Sequence, residues 1–242
     1  MLNNKVAVIT GAGRGIGRAI AQGFAKEGAA VVCASRTQDE LSECVELIRQ
    51  QGGRALGVVA DVSMHDQMAS LFARAQEEFG GVDIAVVNAG ASPQNLLVAD
   101  SDPILWKQTI DVNLTGAFFT LQAAIPALRA RGGGKIICIG SGMGHRSGPT
   151  RSAYAASKAG LWMLVRVLAQ ELAAEKISVN ELVPGPVLTQ FIAGRADALR
   201  AATGNLEWFK QPEDVVPMAL FLACQPEEGP TGQSFSLARR EL

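Results

Sequence analysis

Tyr154 is the only tyrosine in the chain, and it stands in the run Tyr154-Ala155-Ala156-Ser157-Lys158. On a helix, residues four apart share a face, one turn from each other. A phenol and an ammonium group held that way can work as one unit. A free phenol ionises near pH ~10, and a neighbouring positive charge favours the phenolate. Its proton then becomes available in the neutral range where acid–base catalysis works best. Taken alone, such a spacing is more often a packing residue beside a solvated lysine, so the rest of the chain has to decide.

A second group of residues points to phosphate chemistry. The run Thr10-Gly11-Ala12-Gly13-Arg14-Gly15-Ile16-Gly17 follows an apolar segment and opens a helical one. A glycine-rich turn lets backbone approach a pyrophosphate, and the helix N-terminus adds N–H donors and a positive dipole end. The strict Gly-x-Gly-x-x-Gly pattern fails, because its third glycine position holds Ile16 or Arg18. A Walker loop would need Gly-Lys-Ser/Thr, which is missing. The pattern that fits is Thr-Gly-x-x-x-Gly-x-Gly, with Gly11, Gly15 and Gly17. At the end of the next apolar run, where an NAD-binding chain would carry an acid for the ribose, stand Ser35 and Arg36. An arginine fork suits a phosphate, Ser35 adds a hydroxyl, and Arg14 is a second cation on that side. Seen alone, Arg36 is as readily a surface arginine at a turn. With the acid missing, the reading favours NADP(H) over NAD(H).

These residues need a frame. Short apolar runs at Val6–Thr10, Ala30–Ser35, Ala55–Val59, Ile84–Asn88, Lys135–Gly140, Ser178–Val183 and Ser234–Leu237 read as strands buried on both faces. Between them, Ile16–Glu27, Asp39–Gln51, Asp66–Phe79, Asp102–Arg131, Ser152–Ala174 and Glu213–Ala223 read as helices. The alternation predicts an α/β fold: one domain over residues 1–242, a seven-stranded, mainly parallel sheet with helices on both faces. Residues 188–210, holding Gly194, Arg195, Arg200 and Gly204, fit no pattern and read as a lid after a strand.

Bulk properties narrow the partners. With 48% hydrophobic residues the chain can bury a sizeable core. Its 22 basic and 23 acidic side chains give a net charge of −1, so nothing calls for a nucleic-acid partner. Val6–Ile9 is too short for a signal-peptide core, and Arg166 interrupts the apolar run Leu161–Leu168, so no membrane span is expected. Cys33, Cys44, Cys138 and Cys224 are widely spaced, and Cys33 and Cys138 sit in strand-like runs as buried thiols. With two histidines and no Cys-x-x-Cys, no metal site is expected. The expected location is cytoplasmic.

Taken in order, the motifs resemble the short-chain dehydrogenase/reductase family across almost the whole chain. They are the Thr10–Gly17 loop, Asp61-Val62, Asn88-Ala89-Gly90, Asn113 in Asp111-Val112-Asn113-Leu114-Thr115-Gly116, Ser141, Tyr154-x-x-x-Lys158, and Pro184-Gly185 followed by Thr189. The resemblance implies a Rossmann-like, doubly wound sheet. It implies that Tyr154 gives a proton to a carbonyl oxygen while hydride moves from nicotinamide to carbon. Lys158 would lower the tyrosine pKa and hold the nicotinamide ribose, and Ser141 would hold the carbonyl oxygen. Asn113 would hold a water that links Lys158 to solvent. Asp61 and Val62 would contact adenine, Asn88, Ala89 and Gly90 would back the adenosine ribose, and Pro184, Gly185, Val187 and Thr189 would meet the nicotinamide amide. The chemistry agrees: hydride transfer builds negative charge on oxygen, so two donors must already point there.

Within the family the pattern is most like the 3-oxoacyl-[acyl-carrier-protein] reductases, although the basic residues Arg129, Arg131 and Lys176 are diluted by Glu171 and Glu175. The implied activity is NADPH-dependent ketone reduction, on a 3-oxoacyl thioester or a small polar ketone. An NAD-dependent dehydrogenase of a sugar or sterol alcohol and a catalytically silent nucleotide-binding regulator are the competing readings. In the loop after Ser141, His145 and Arg146 either select a polar or acidic ketone or stand as solvated loop residues. Gly140 replaces a serine common in the family, and Ala238-Arg239-Arg240 replaces a common Asp-Gly-Gly turn. A homotetramer is expected through the two longest helices. Leu161, Trp162, Leu164, Val165, Leu168 and Leu172, with Leu114, Phe118, Phe119, Leu121 and Ile125, are more apolar surface than one sheet can cover.

Overall fold

A computed structural model describes residues 1–194, 197, 200–201, 206–239 and 241–242. Arg195 and Gly204 of the expected lid and Arg240 of the C-terminal run lie outside the described residues. Seven strands, β1 (Val6–Thr10), β2 (Ala30–Ser35), β3 (Arg54–Val59), β4 (Ile84–Val87), β5 (Gly134–Ile139), β6 (Ile177–Val183) and β7 (Ser234–Ser236), form one sheet. Its order is β3-β2-β1-β4-β5-β6-β7, and every neighbouring pair is parallel. The sequence reading allowed an antiparallel strand, and there is none among the described residues.

Parallel strands need crossovers, and the helices supply them. They are α1 (Gly15–Lys26), α2 (Gln38–Gln50), α3 (His65–Phe79), α4 (Pro103–Ile110), α5 (Gly116–Ala130), α6 (Ser152–Leu172) and α7 (Val216–Ala223). Helices α1, α2 and α7 seal one face through Ile20, Phe24, Leu41, Ile48 and Leu222. Helices α3, α5 and α6 seal the other through Met68, Leu71, Leu121, Leu128, Leu161 and Val165. Each such side chain contributes roughly 1.5–3 kcal/mol by leaving water. Strands covered on both sides are apolar at every position, as in Val6–Thr10. The edge strand β3 is instead only partly covered, with Arg54, Gly57 and Val59 exposed. The expectation of two buried faces fails there because β3 pairs only with β2.

The expected helix Asp102–Arg131 is one continuous rod with a widened middle. Asp102 caps α4 by accepting from the backbone N–H groups of Ile104 (2.7 Å) and Leu105 (3.4 Å). Between α4 and α5, residues Asp111–Thr115 wind as a π-helical turn, a form often found at functional sites. No described helix is long and apolar enough to cross a membrane. After β3 the chain returns to the middle of the sheet as β4. Loops at the carboxyl ends of β1 and β4 therefore diverge and leave a crevice, the usual ligand position in such sheets.

Candidate active site

The glycine loop crosses the crevice between β1 and α1. Gly11 (φ +67°) and Gly15 (φ +56°) take left-handed backbone, and a Cβ on Gly17 would overlap the carbonyl of Gly11. Asn88, at the end of β4, braces this loop. Its Nδ2 donates to the Thr10 and Gly11 carbonyls (2.9 and 3.2 Å), while Thr10 Oγ1 accepts from the N–H groups of Asn88 and Ala89. The Asn88 side chain is thus engaged with the loop itself, and Gly90, two residues on, faces Asn113 and Lys158. No described side chain caps the start of α1, and its first turn holds no acid. A pyrophosphate fits this cradle: backbone can come close, and the helix end is positive.

At the carboxyl end of β2, the Arg36 side chain is 59% exposed and lies 3.7 Å from Asp61. Burial alone would raise the Asp61 carboxyl, but the Ser63 N–H and hydroxyl and the Arg36 guanidinium outweigh it and hold it below its ordinary value. Ser35 sits under the loop, where a Cβ on Gly13 would meet its Oγ at 2.9 Å. Arg14 is held by other partners. Its Nη1 donates to Glu40 (3.1 Å) and Gln190 (2.7 Å), tying α2 to the segment after β6. Val62 is buried against Gly116.

Three elements meet at the other end of the crevice. Lys158 on α6 is 4% exposed, and its Nζ donates to the Ile139 carbonyl at 2.7 Å. The same Nζ lies 5.9 Å from the Tyr154 ring centroid. Ser141 lies two residues after β5 and caps a short 3₁₀ turn, its Oγ accepting from the Met143 N–H (3.2 Å). Gly144 closes that turn against the α6 backbone, where a Cβ would approach Lys158 to 2.8 Å. Asn113, in the π-helical turn, accepts from the Ala91 N–H (2.7 Å) and donates to the Ala91 carbonyl (2.9 Å) and Ser157 Oγ (3.1 Å). Ser157 in turn donates to the Tyr154 carbonyl (2.8 Å). Tyr154, Lys158, Ser141 and Asn113 are therefore brought together by β5, α6 and the widened turn.

The segment after β6 runs over the crevice. Pro184 is buried, Gly185 is left-handed (φ +68°), and Val187 forms a parallel bridge with Lys210. The Thr189 methyl packs toward Gly15, so this segment touches the glycine loop. Phe191 lies beyond it, 5.6 Å from the Tyr154 ring.

The two loop residues expected to select substrate have partners within the protein. His145 turns inward, 2.8 Å from Glu181 and edge-on to Trp162, with a side chain only 9% exposed. Arg146 reaches the C-terminus, donating to the Glu241 carbonyl at 3.0 Å. A second cation near the phenol, in addition to Lys158, is Arg151, whose guanidinium lies 4.8 Å from the Tyr154 centroid. Its place three residues before Tyr154 was the available signal, since such residues neighbour each other on a helix. Nothing in the sequence marked Phe191. Glu181 stood in view as the one charge in the apolar run Ile177–Val183. Among the described residues, no group of three or more His, Cys, Asp or Glu side chains could hold a metal ion.

Comparison with known proteins agrees with this geometry. A family model described as short chain dehydrogenase matches residues 5–199. The chain is 38% identical to a short-chain type dehydrogenase/reductase of Picea abies over 239 residues, 94% of this chain and 88% of that protein. It is 33% identical to the 3-oxoacyl-[acyl-carrier-protein] reductase FabG of Staphylococcus epidermidis, covering 96% of each. A crystal structure of a short-chain type dehydrogenase/reductase from Mycobacterium marinum superposes with a TM-score of 0.92 at 36% identity, covering 97% of this chain and 94% of that one.

Proposed function

Since the chain belongs to the short chain dehydrogenase family, we propose that it is an NADPH-dependent ketone reductase with Tyr154 as its acid. Its membership makes it an NAD(P)-dependent oxidoreductase that acts on alcohol or carbonyl groups. The observation that carries the finer reading is the pairing of Tyr154 with Lys158, one turn apart on α6. The ammonium is buried and fixed by a backbone carbonyl beside the Ser141 turn.

When bound, the nicotinamide supplies the hydride. The protein's own residues handle the oxygen and its proton. Ser141 holds the carbonyl oxygen with its hydroxyl, and Tyr154 delivers a proton to that atom as charge builds on it. Lys158 favours the phenolate left behind by its charge. The amide N–H groups of Asn113 are engaged with Ala91 and Ser157, and both Asn113 and Lys158 face Gly90, so a water resupplying the proton would sit between these two residues. The glycine loop and the α1 N-terminus hold the pyrophosphate, Asp61 and Val62 flank the adenine, and Pro184 to Thr189 meet the nicotinamide amide.

Preference for NADPH is supported by Arg36 at the end of β2, where Ser35-Arg36-Thr37 carries no acid in the chain itself. A 2′-phosphate has to draw Arg36 from Asp61, and an exposed ion pair of this kind opposes that by only about 0–1 kcal/mol. We read 188–210 as a substrate lid and the substrate as a 3-oxoacyl thioester or small polar ketone. A cytoplasmic location accords with free thiols at all four cysteines.

The homotetramer belongs to the same proposal. Leu161, Val165, Leu168 and Leu172 are consumed by the core, while Phe118, Met163 and Val167 stand exposed along α5 and α6. A second copy meeting these helices symmetrically would cover them. Phe118→Glu with Val167→Glu should convert the assembly to smaller species in light scattering, and an unchanged mass would remove this interface.

A ketone panel, scored by NADPH and NADH oxidation, tests the function. Turnover of at least one 3-oxo compound, about tenfold or more faster per KM with NADPH, is expected. No turnover with either cofactor would sink the reading.

A further inference from the structure

Glu181 is fully buried at the centre of β6, between β5 and β7. Its Oε2 accepts from Ser234 Oγ at 2.6 Å and pairs with His145 Nε2 at 2.8 Å. With the proton on Nε2, the imidazole is the donor. Oε1 has no hydrogen-bond partner among the described residues. It lies against Gly140, where a Cβ would overlap the carboxylate. Burying a carboxylate costs several kcal/mol, and such a pair is weak evidence of stability; what it supplies best is a fixed geometry.

The geometry it fixes is that of the Ser141 turn. Gly140 precedes Ser141, and His145 follows it by four residues. One carboxylate therefore sets both ends of the segment. Between them, the turn closes on itself through Gly144 N–H to the Ser141 carbonyl (2.8 Å) and His145 N–H to the Gly142 carbonyl (3.2 Å). The His145 ring is also braced edge-on by Trp162 of α6, at 5.1 Å. A serine at position 140 has no room beside Glu181. Glycine at 140 and glutamate at 181 are thus two halves of one arrangement.

We propose that Glu181 is a positioning residue: through His145 and through the space it takes at Gly140, it holds the turn that aims the Ser141 hydroxyl at the substrate oxygen. This rests on the role given to Ser141 above. Glu181 touches neither substrate nor cofactor in this account, so its removal acts only through Ser141.

The test is a double-mutant cycle on the full chain, with kcat and KM for a panel ketone and NADPH Kd by fluorescence titration. Glu181→Ala should lower kcat about tenfold and leave NADPH Kd within about twofold, as expected for a small misplacement of one group. In a Ser141→Ala background the same change should cost nothing more, because the hydroxyl it aims is gone. Wild-type kcat in Glu181→Ala, or losses that multiply in the double variant, overturns the proposal. Full activity in Ser141→Ala would instead overturn the role of Ser141 on which it rests. If Glu181→Ala fails to fold, Gly140→Ser combined with Glu181→Ala refills the space. That pair should exceed Gly140→Ser alone in kcat by about tenfold. A pair no better than Gly140→Ser shows that the carboxylate does not exclude a side chain at 140, and overturns the proposal as well.

Discussion

Lys158 and Arg36 are both cations at the carboxyl edge of the same sheet, yet they are held in opposite ways. Lys158 is 4% exposed and anchored by a backbone carbonyl at 2.7 Å. Around it, Asn113 and Ser157 are tied to backbone groups of Ala91 and Tyr154. The Arg36 side chain is 59% exposed and, among the described residues, pairs with one carboxylate at 3.7 Å. Arg14, on the same side, is likewise held by surface partners, Glu40 and Gln190. Under the proposed function the difference separates two tasks. Groups that must meet developing charge are set in place beforehand, so no reorganisation is needed during reaction. Groups that choose a cofactor can stay mobile, because the ligand orders them when it arrives.

The contrast can be broken from the buried side first. Lys158→Met removes a fixed charge and leaves the Ile139 carbonyl without its donor. We expect kcat at saturating NADPH to fall about 10²-fold or more. A loss under about threefold would mean that the buried cation is structural, and the two ends would then differ only in packing.

Arg36→Asp acts at the exposed end and should change preference more than rate. A charge-assisted contact to phosphate contributes about 1.5–3 kcal/mol, so kcat/KM for NADPH should drop roughly 10- to 100-fold. Activity with NADH should change far less. Equal losses with both cofactors would show that Arg36 does not read the 2′-phosphate.

The smallest effect is expected at Asp61. Its carboxyl is held below its ordinary value despite burial, by Ser63 and then Arg36. A depressed folded-state value means the stabilisation is present above the unfolded value, near pH ~3.9, and is lost as pH falls through the folded one. Melting temperature should therefore decline on acidification below about pH 4, and Asp61→Asn should flatten that part of the curve. At neutral pH the same variant should shift stability by under about 1 kcal/mol, because the Arg36 side of the pair is solvent-exposed. A larger shift would make the adenosine end as rigid as the catalytic one.

The strands and the glycine loop were legible because each is written locally. Val6–Thr10 and Ala30–Ser35 are continuous apolar runs with the predicted bounds. The Tyr154–Lys158 pairing was legible because helical spacing fixes it. What escaped was decided by partners distant in the chain. His145 looked like a cleft residue from its loop, but its orientation is set by Glu181, thirty-six residues on. Gly140 looked like a neutral variation for the same reason. The widened turn at Asp111–Thr115 left no mark in an apolar pattern that stays helical on both sides. Phe191 came beside Tyr154 only because the chain after β6 folds back over the crevice.

The central claim is that Tyr154 donates the proton and does little else, and Tyr154→Phe tests it most directly. The change removes one hydroxyl and keeps the ring that packs against Phe191 and Arg151. Single-turnover ketone reduction and NADPH Kd should be measured on the same preparation. The account predicts a reduction rate lower by about 10²–10⁴-fold with NADPH Kd unchanged within about twofold. A variant that keeps more than about half the wild-type rate would contradict it, whatever its affinity for the cofactor.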